Sequence, residues 1–134
     1  MRVIRSAIIH CAYTKASMDI GAMEIRRWHI DDRGWSDIGY HYVIRRDGEL
    51  ENGRPVAHVG AHCKGHNRDS IGICLVGGMN DDGAPEFNFT ADQFATLRHL
   101  KHSLDQQYHG IEWHGHREYS DKACPCFDVG QWFL

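Results

Sequence analysis

The sequence predicts an α/β domain, a central mixed β-sheet flanked by helices, and three observations carry that expectation. Residues 4–11 and 70–76 are short apolar runs of strand length, which read as buried strands. Residues 40–46 are aromatic and β-branched and run into Asp47-Gly48, a pair suited to the positive φ angles of a hairpin turn. Thr90-Ala91-Asp92-Gln93 has the spacing of a capping box, with Thr90 at the N-cap and Gln93 three residues on. Strands interleaved with helices give a sheet covered by helices.

The elements follow in order. The first strand, 4–11, carries His10 near its C-terminal end, the end at which open α/β sheets place their sites. A helix capped by Asp19 or a neighbour runs to about residue 31, with Ala22, Ile25 and Trp28 at helical spacing, and Gly34 ends that region. The strand 40–46 pairs back antiparallel through 50–54, with 56–59 extending the hairpin. Residues 62–67 are a polar, glycine-containing loop, and 70–76 is the central strand. Gly77-Gly78 and Asp81-Asp82-Gly83 make a surface loop. The helix opened by Thr90 puts Leu97, Leu100, Leu104 and Tyr108 on one face and reaches about residue 109, before a short strand at 111–115. Trp28 and Trp35 read as core or core-edge residues, and Trp132 as the anchor of the C-terminal segment.

A chain of 134 residues makes one domain, residues 1–134, long enough to bury a core without disulfide staples. Its formal charge of −3 argues against a general nucleic-acid binder, which carries a basic face. Five cysteines, an odd count, read as reduced thiols plus a ligand rather than a disulfide framework. The N-terminal residues lack the long apolar core and cleavage site of a secretory leader, and no apolar run is long enough to span a bilayer. A monomer made in the cytoplasm, with no membrane partner, is expected.

The chemistry concentrates in His116-Arg117-Glu118-Tyr119-Ser120-Asp121-Lys122-Ala123-Cys124-Pro125, which puts an imidazole, an ammonium and a thiol within nine residues. With His10 they make a mixed nitrogen and sulfur ligand set that suits zinc, and three protein ligands leave a position open for water. His114, two residues before His116, competes with it as a ligand. Other hydrolase signatures are missing: there is no His-Glu-x-x-His, no Gly-x-Ser-x-Gly and no phosphate-binding loop, and Cys124-x-Cys126 is too short for a zinc knuckle.

Five segments in order resemble the type 2 N-acetylmuramoyl-L-alanine amidases, and within them the T7-like phage lysozymes; the peptidoglycan recognition proteins are related. The segments are Ile8-Ile9-His10-Cys11 with Thr14-Lys15, Gly39-Tyr40-His41-Tyr42 through Arg46-Asp47-Gly48, His62-Cys63-Lys64-Gly65-His66-Asn67 through Ser70-Ile71-Gly72-Ile73, Leu75-Val76-Gly77-Gly78, and residues 116–128. The resemblance implies a T7-lysozyme-like fold and a zinc ion held by His10, His116 and Cys124, which decides for His116 over His114. It also implies catalytic roles for Tyr40 and Lys122, and substrate contacts from His62 and Asn67. Water activated at such a site attacks the amide joining N-acetylmuramic acid to L-alanine, and Lys122 offers a positive partner for the tetrahedral oxyanion.

The partner implied is peptidoglycan or a muropeptide, and the role that of a phage or prophage endolysin acting on the wall after release through the membrane. Two other readings stand beside it: a non-catalytic peptidoglycan-binding module, and a cytosolic amidase recycling soluble muropeptides, whose relatives tend to use aspartate as third ligand. T7-like lysozymes also bind a phage RNA polymerase, a partner for which no residue of this chain specifies an interface. Three departures stand out: Cys126 where the family has glycine or serine, Asp121 for a frequent proline, and Tyr13 among residues that are usually small.

Overall fold

The computed structural model describes residues 2–132. The elements are β1 Ser6–Cys11, β2 Thr14–Lys15, α1 Ala22–Arg33, β3 Tyr42–Ile44, β4 Leu50–Asn52, β5 Ser70–Leu75, β6 Gly78–Met79, α2 Ala91–Gln107, β7 Glu112–Gly115, a 3₁₀ turn at His116–Glu118, and α3 Val129–Trp132. The main sheet has the order β4-β3-β5-β1-β7. Its strands run parallel except β4, which returns antiparallel to β3 through the Asp47-Gly48 turn. The sheet is therefore mixed, as the sequence predicts, and β2 pairs with β6 in a separate parallel ribbon.

The two faces of β5 differ in size, and that difference positions the site. Ile71, Ile73 and Leu75 face α2, where they join Ala7, Ile9, Leu97, Leu100 and Leu104 in the larger core. Each such aliphatic side chain stabilises the fold by roughly 1.5–3 kcal/mol when fully buried. The alternate residues, Ser70, Gly72 and Cys74, are small and lie on the side of α1, leaving room there for aromatic rings. Ala22, Ile25, Ile38, Val43, Cys74 and Val76 form the second, smaller core.

The capping box of α2 forms as expected: Thr90 Oγ1 accepts from Gln93 N at 3.1 Å and Gln93 Oε1 from Thr90 N at 2.9 Å. Gln93 Nε2 also donates to Val76 O at 2.9 Å, so the cap ties α2 to the end of β5. At the start of α1 the cap is a neighbour rather than Asp19 itself. Asp19 is paired with Arg45 at 2.9 Å, and the N-cap is Gly21. Glu24 Oε1 accepts from Gly21 N and Glu51 Oε1, from the distant strand β4, accepts from Ala22 N, at 2.7 and 2.8 Å. A long-range carboxylate thus supplies what a local cap was expected to supply. Gly34 ends α1 in the left-handed conformation. Residues 56–59 do not extend the hairpin; they form a turn closed by His58 N donating to Pro55 O. No helix of the described residues is long and apolar enough to cross a membrane.

Candidate active site

Parallel register brings the two histidines together. Ile9 of β1 pairs with Gly115 of β7, so His10 lies beside His116, the first residue beyond β7. Their ring centroids are 4.6 Å apart. Cys124 arrives on the loop after the 3₁₀ turn and is fixed by Cys11 N, which donates to its sulfur at 3.1 Å. The ligand atoms of His10, His116 and Cys124 all lie within 4.8 Å of one another, the one such cluster of metal-binding side chains among the described residues. Tetrahedral zinc with two nitrogens and a sulfur wants separations of about 3.3–3.7 Å. The donor types and their closeness fit a metal ion, which would draw the three atoms together. His114 does not join it: its nitrogens are within 2.9 and 3.1 Å of Glu118 and Glu112. Burial pulls the His114 pKa down, but those two carboxylates outweigh it and hold the ring towards its charged form. Glu118 also accepts from Gly115 N, so it braces the turn at His116 through the backbone.

Electrostatics favour the neutral form of both candidate rings. His10 is buried, and burial, then His62, His116 and Lys122, hold its pKa well below the usual imidazole value. His116 is lowered by burial and by the Lys122 charge. Neutral imidazole is the form that binds a metal. Tyr40 lies just before β3 with its ring centroid 5.1 Å from that of His10. Burial, with the Cys74, Cys124 and Cys11 sulfurs, pushes its pKa well up, so the hydroxyl keeps its proton. Lys122 is exposed at the edge of the same cleft. His10, Tyr40, His62, His116, Lys122 and Cys124 line one cleft of about 530 Å³.

Asn67 does not line that cleft; its Oδ1 accepts from His62 N and Cys63 N, both at 2.9 Å, and organises the loop. Cys126 is outside the ligand cluster, its sulfur directed at Gly78 O and 3.9 Å from Cys11 Sγ. Three wall residues escaped the sequence reading. His29, Arg33 and Trp35, at the end of α1, form one side of the cleft. The Arg33 guanidinium stacks 5.1 Å over the Trp35 ring, which a sequence reading assigns to the core edge. His29 Nδ1 accepts from Gly39 N at 2.9 Å and so holds the segment that presents Tyr40. A histidine and an arginine one turn apart before a helix-ending glycine were the only signal, and it is a weak one.

Residues 1–127 match the protein family described as N-acetylmuramoyl-L-alanine amidase. The chain belongs to this family. The amidase is 50% identical over 125 residues to the endolysin of Klebsiella phage KP32, and 47% identical over 125 residues to that of Escherichia phage T7, matches that cover 93% of this chain and 82% of each relative. Among solved structures it resembles the endolysin N-acetylmuramoyl-L-alanine amidase LysCS of Clostridium intestinale, with a TM-score of 0.79 and 30% identity over 92% of this chain and 76% of that one. Drosophila PGRP-LB shares the fold at a TM-score of 0.79 and 26% identity, over 93% of this chain and 76% of that one. The enzyme is thus an N-acetylmuramoyl-L-alanine amidase of the α/β fold with a central mixed sheet that the sequence predicts, and a peptidoglycan substrate fits its relatives.

Proposed function

We propose that the amidase is a zinc-dependent endolysin, with His10, His116 and Cys124 as ligands and Tyr40 and Lys122 as catalytic residues. The observation that carries this reading is the meeting of three ligand atoms within 4.8 Å at one cleft. A zinc ion held there supplies a Lewis acid and a water whose pKa falls towards about 7.

The protein's own groups do the rest. The bond broken is the amide between the lactyl carbonyl of N-acetylmuramic acid and L-alanine; water adds its oxygen to the carbonyl carbon and a proton leaves on the alanine nitrogen. Lys122, whose charge reaches both His10 and His116 at this cleft, would supply the positive partner for negative charge developing on the carbonyl oxygen. Tyr40, protonated at neutral pH, offers a hydroxyl to orient water or to pass a proton towards the leaving amine. The endolysin role is supported by the phage relatives, whose lengths this chain largely covers.

Purified protein with zinc should release stem peptides carrying a free alanine amine, lose that activity on chelation and recover it with added zinc. Full activity after thorough chelation would overturn the zinc assignment. Intact sacculi should be cut faster than soluble anhydro-muropeptides; the reverse preference would replace the endolysin role with muropeptide recycling.

A further inference from the structure

We infer that His62 is a positioning residue: it fixes His10 in the tautomer whose Nδ1 is free to bind the metal. This rests on the reading of His10 as a ligand. Ser70 Oγ lies 2.6 Å from the carbonyl oxygen of His66, which can only accept, so the single hydroxyl proton points there. Ser70 Oγ also lies 3.2 Å from His62 Nε2, and with its proton spent it must accept from that nitrogen. A neutral His62 carrying its proton on Nε2 has a bare Nδ1. That atom is 2.8 Å from His10 Nε2, so His10 donates through Nε2. In a neutral ring this leaves Nδ1 of His10 as the nitrogen with a lone pair. The chain of three hydrogen bonds, read outward from one backbone carbonyl, is the kind of support that sets the tautomer and orientation of ligating histidines.

The His62 ring is held in a built socket. A Cβ on Gly72 would lie 2.5 Å from His62 Cγ, so the ring rests flat on β5 where a side chain would otherwise stand. A Cβ on Gly60 would come within 2.9 Å of the same ring. His62 is 8% exposed and both ring nitrogens are engaged, leaving neither for a substrate. On this inference His62 supports a ligand from the cleft wall, a role distinct from the substrate contact that family resemblance implies.

The test uses the intact chain. In metal-free, ¹⁵N-labelled protein, long-range ¹H–¹⁵N spectra of the imidazoles should show both His10 and His62 as Nε2–H tautomers. His10 protonated on Nδ1 would overturn the inference. Zinc competition against a chromophoric chelator should find His62→Leu about 10- to 100-fold weaker than wild type, the usual effect of removing such a support. His62→Asn, which can return an acceptor to His10, should recover most of the affinity. Unaltered zinc affinity in His62→Leu, with a raised KM instead, would restore the substrate-contact role. Should His62→Leu fail to fold, Ser70→Ala serves: His62 loses its acceptor, and its spectrum should shift towards the Nδ1–H form with weaker zinc binding. An unshifted spectrum in Ser70→Ala would overturn the chain. Wild-type protein that shows the expected tautomers yet binds no zinc would overturn the metal reading alone.

Discussion

The two halves of the candidate site are built by different means. His10 and His116 stand at the ends of adjacent parallel strands, so their approach is set by the register of β1 and β7. His10 is further locked by His62 and packed against Tyr40. Cys124 and Lys122 come from a loop, and Cys124 is held to the strand half by a hydrogen bond from Cys11 N and by Pro125 lying against Gly115. The comparison teaches that the strand half is made by folding, whereas the loop half is brought to it and gains most from a metal.

The sharpest way to break that contrast is to delete one ligand from each half. His10→Ala and Cys124→Ala should both abolish zinc binding and turnover. Their metal-free stabilities should differ. His10→Ala opens a buried cavity and leaves His62 Nδ1 without its donor, a loss of about 2–4 kcal/mol. Cys124→Ala, at a partly exposed loop position, should cost about 1 kcal/mol or less. Urea denaturation of both apo variants measures the difference; equal losses would show that the loop is as integral as the strands.

Lys122→Met tests the loop half for chemistry rather than structure. The ammonium is exposed, so its removal should leave stability unchanged. If it steadies the oxyanion, kcat should fall about 100- to 1000-fold with little change in KM. Zinc affinity should hold or tighten, since a positive charge near His10 and His116 is removed. A fall in zinc affinity that accounts for the lost rate would make Lys122 a support of the metal instead.

The same division governs what the sequence reveals. A strand end, a hairpin turn and a capping box are local signals, and β1, β3–β4, β5 and α2 form where those signals lie. His10 was legible because an apolar run ends there. Strand alternation favours neither His116 nor His114, so the choice of His116 comes from the family resemblance alone; the structure separates them by giving His114 to Glu112 and Glu118. Long-range partners were the systematic blind spot. Glu51 caps α1 from another strand, and Ser70 reaches His10 through His62. The α1 wall of His29, Arg33 and Trp35 depends on where the helix docks, which no spacing within 22–35 encodes.

The elements packed around the strand half, α1 and the segment leading into β3, should be acid-sensitive. Burial, with neighbouring arginines, lowers His29 and His41 to about 4 from 6.5. Each accepts a backbone N–H on Nδ1, from Gly39 and from Gly72 respectively, and protonation of that atom would break the bond. A lowered folded pKa means the unfolded chain binds more protons between about pH 6.5 and 4. Their contribution is therefore complete above pH 6.5 and lost as pH falls towards 4. The urea midpoint of metal-free protein should drop between pH 7 and pH 5. His29→Gln, which offers an uncharged acceptor near the same place, should lessen the drop; a pH-independent midpoint would remove these rings from the account.

The smallest expected effect is at Cys126, the loop residue that family resemblance leaves unexplained. Its φ is +72°, a left-handed conformation that costs a side-chain-bearing residue about 1 kcal/mol relative to glycine. Its sulfur points at Gly78 O, 3.3 Å away, a contact that returns roughly 0.5–1 kcal/mol. Burial, then Cys11, pushes the thiol up to about 12, and the sulfur lies outside the cluster of His10, His116 and Cys124. The two backbone and side-chain effects nearly cancel. Cys126→Gly should therefore keep one zinc per chain, with stability within about 1 kcal/mol of wild type and turnover within about twofold. A variant that lost zinc would show that the second thiol does reach the metal, and the loop half would then supply two sulfurs rather than one.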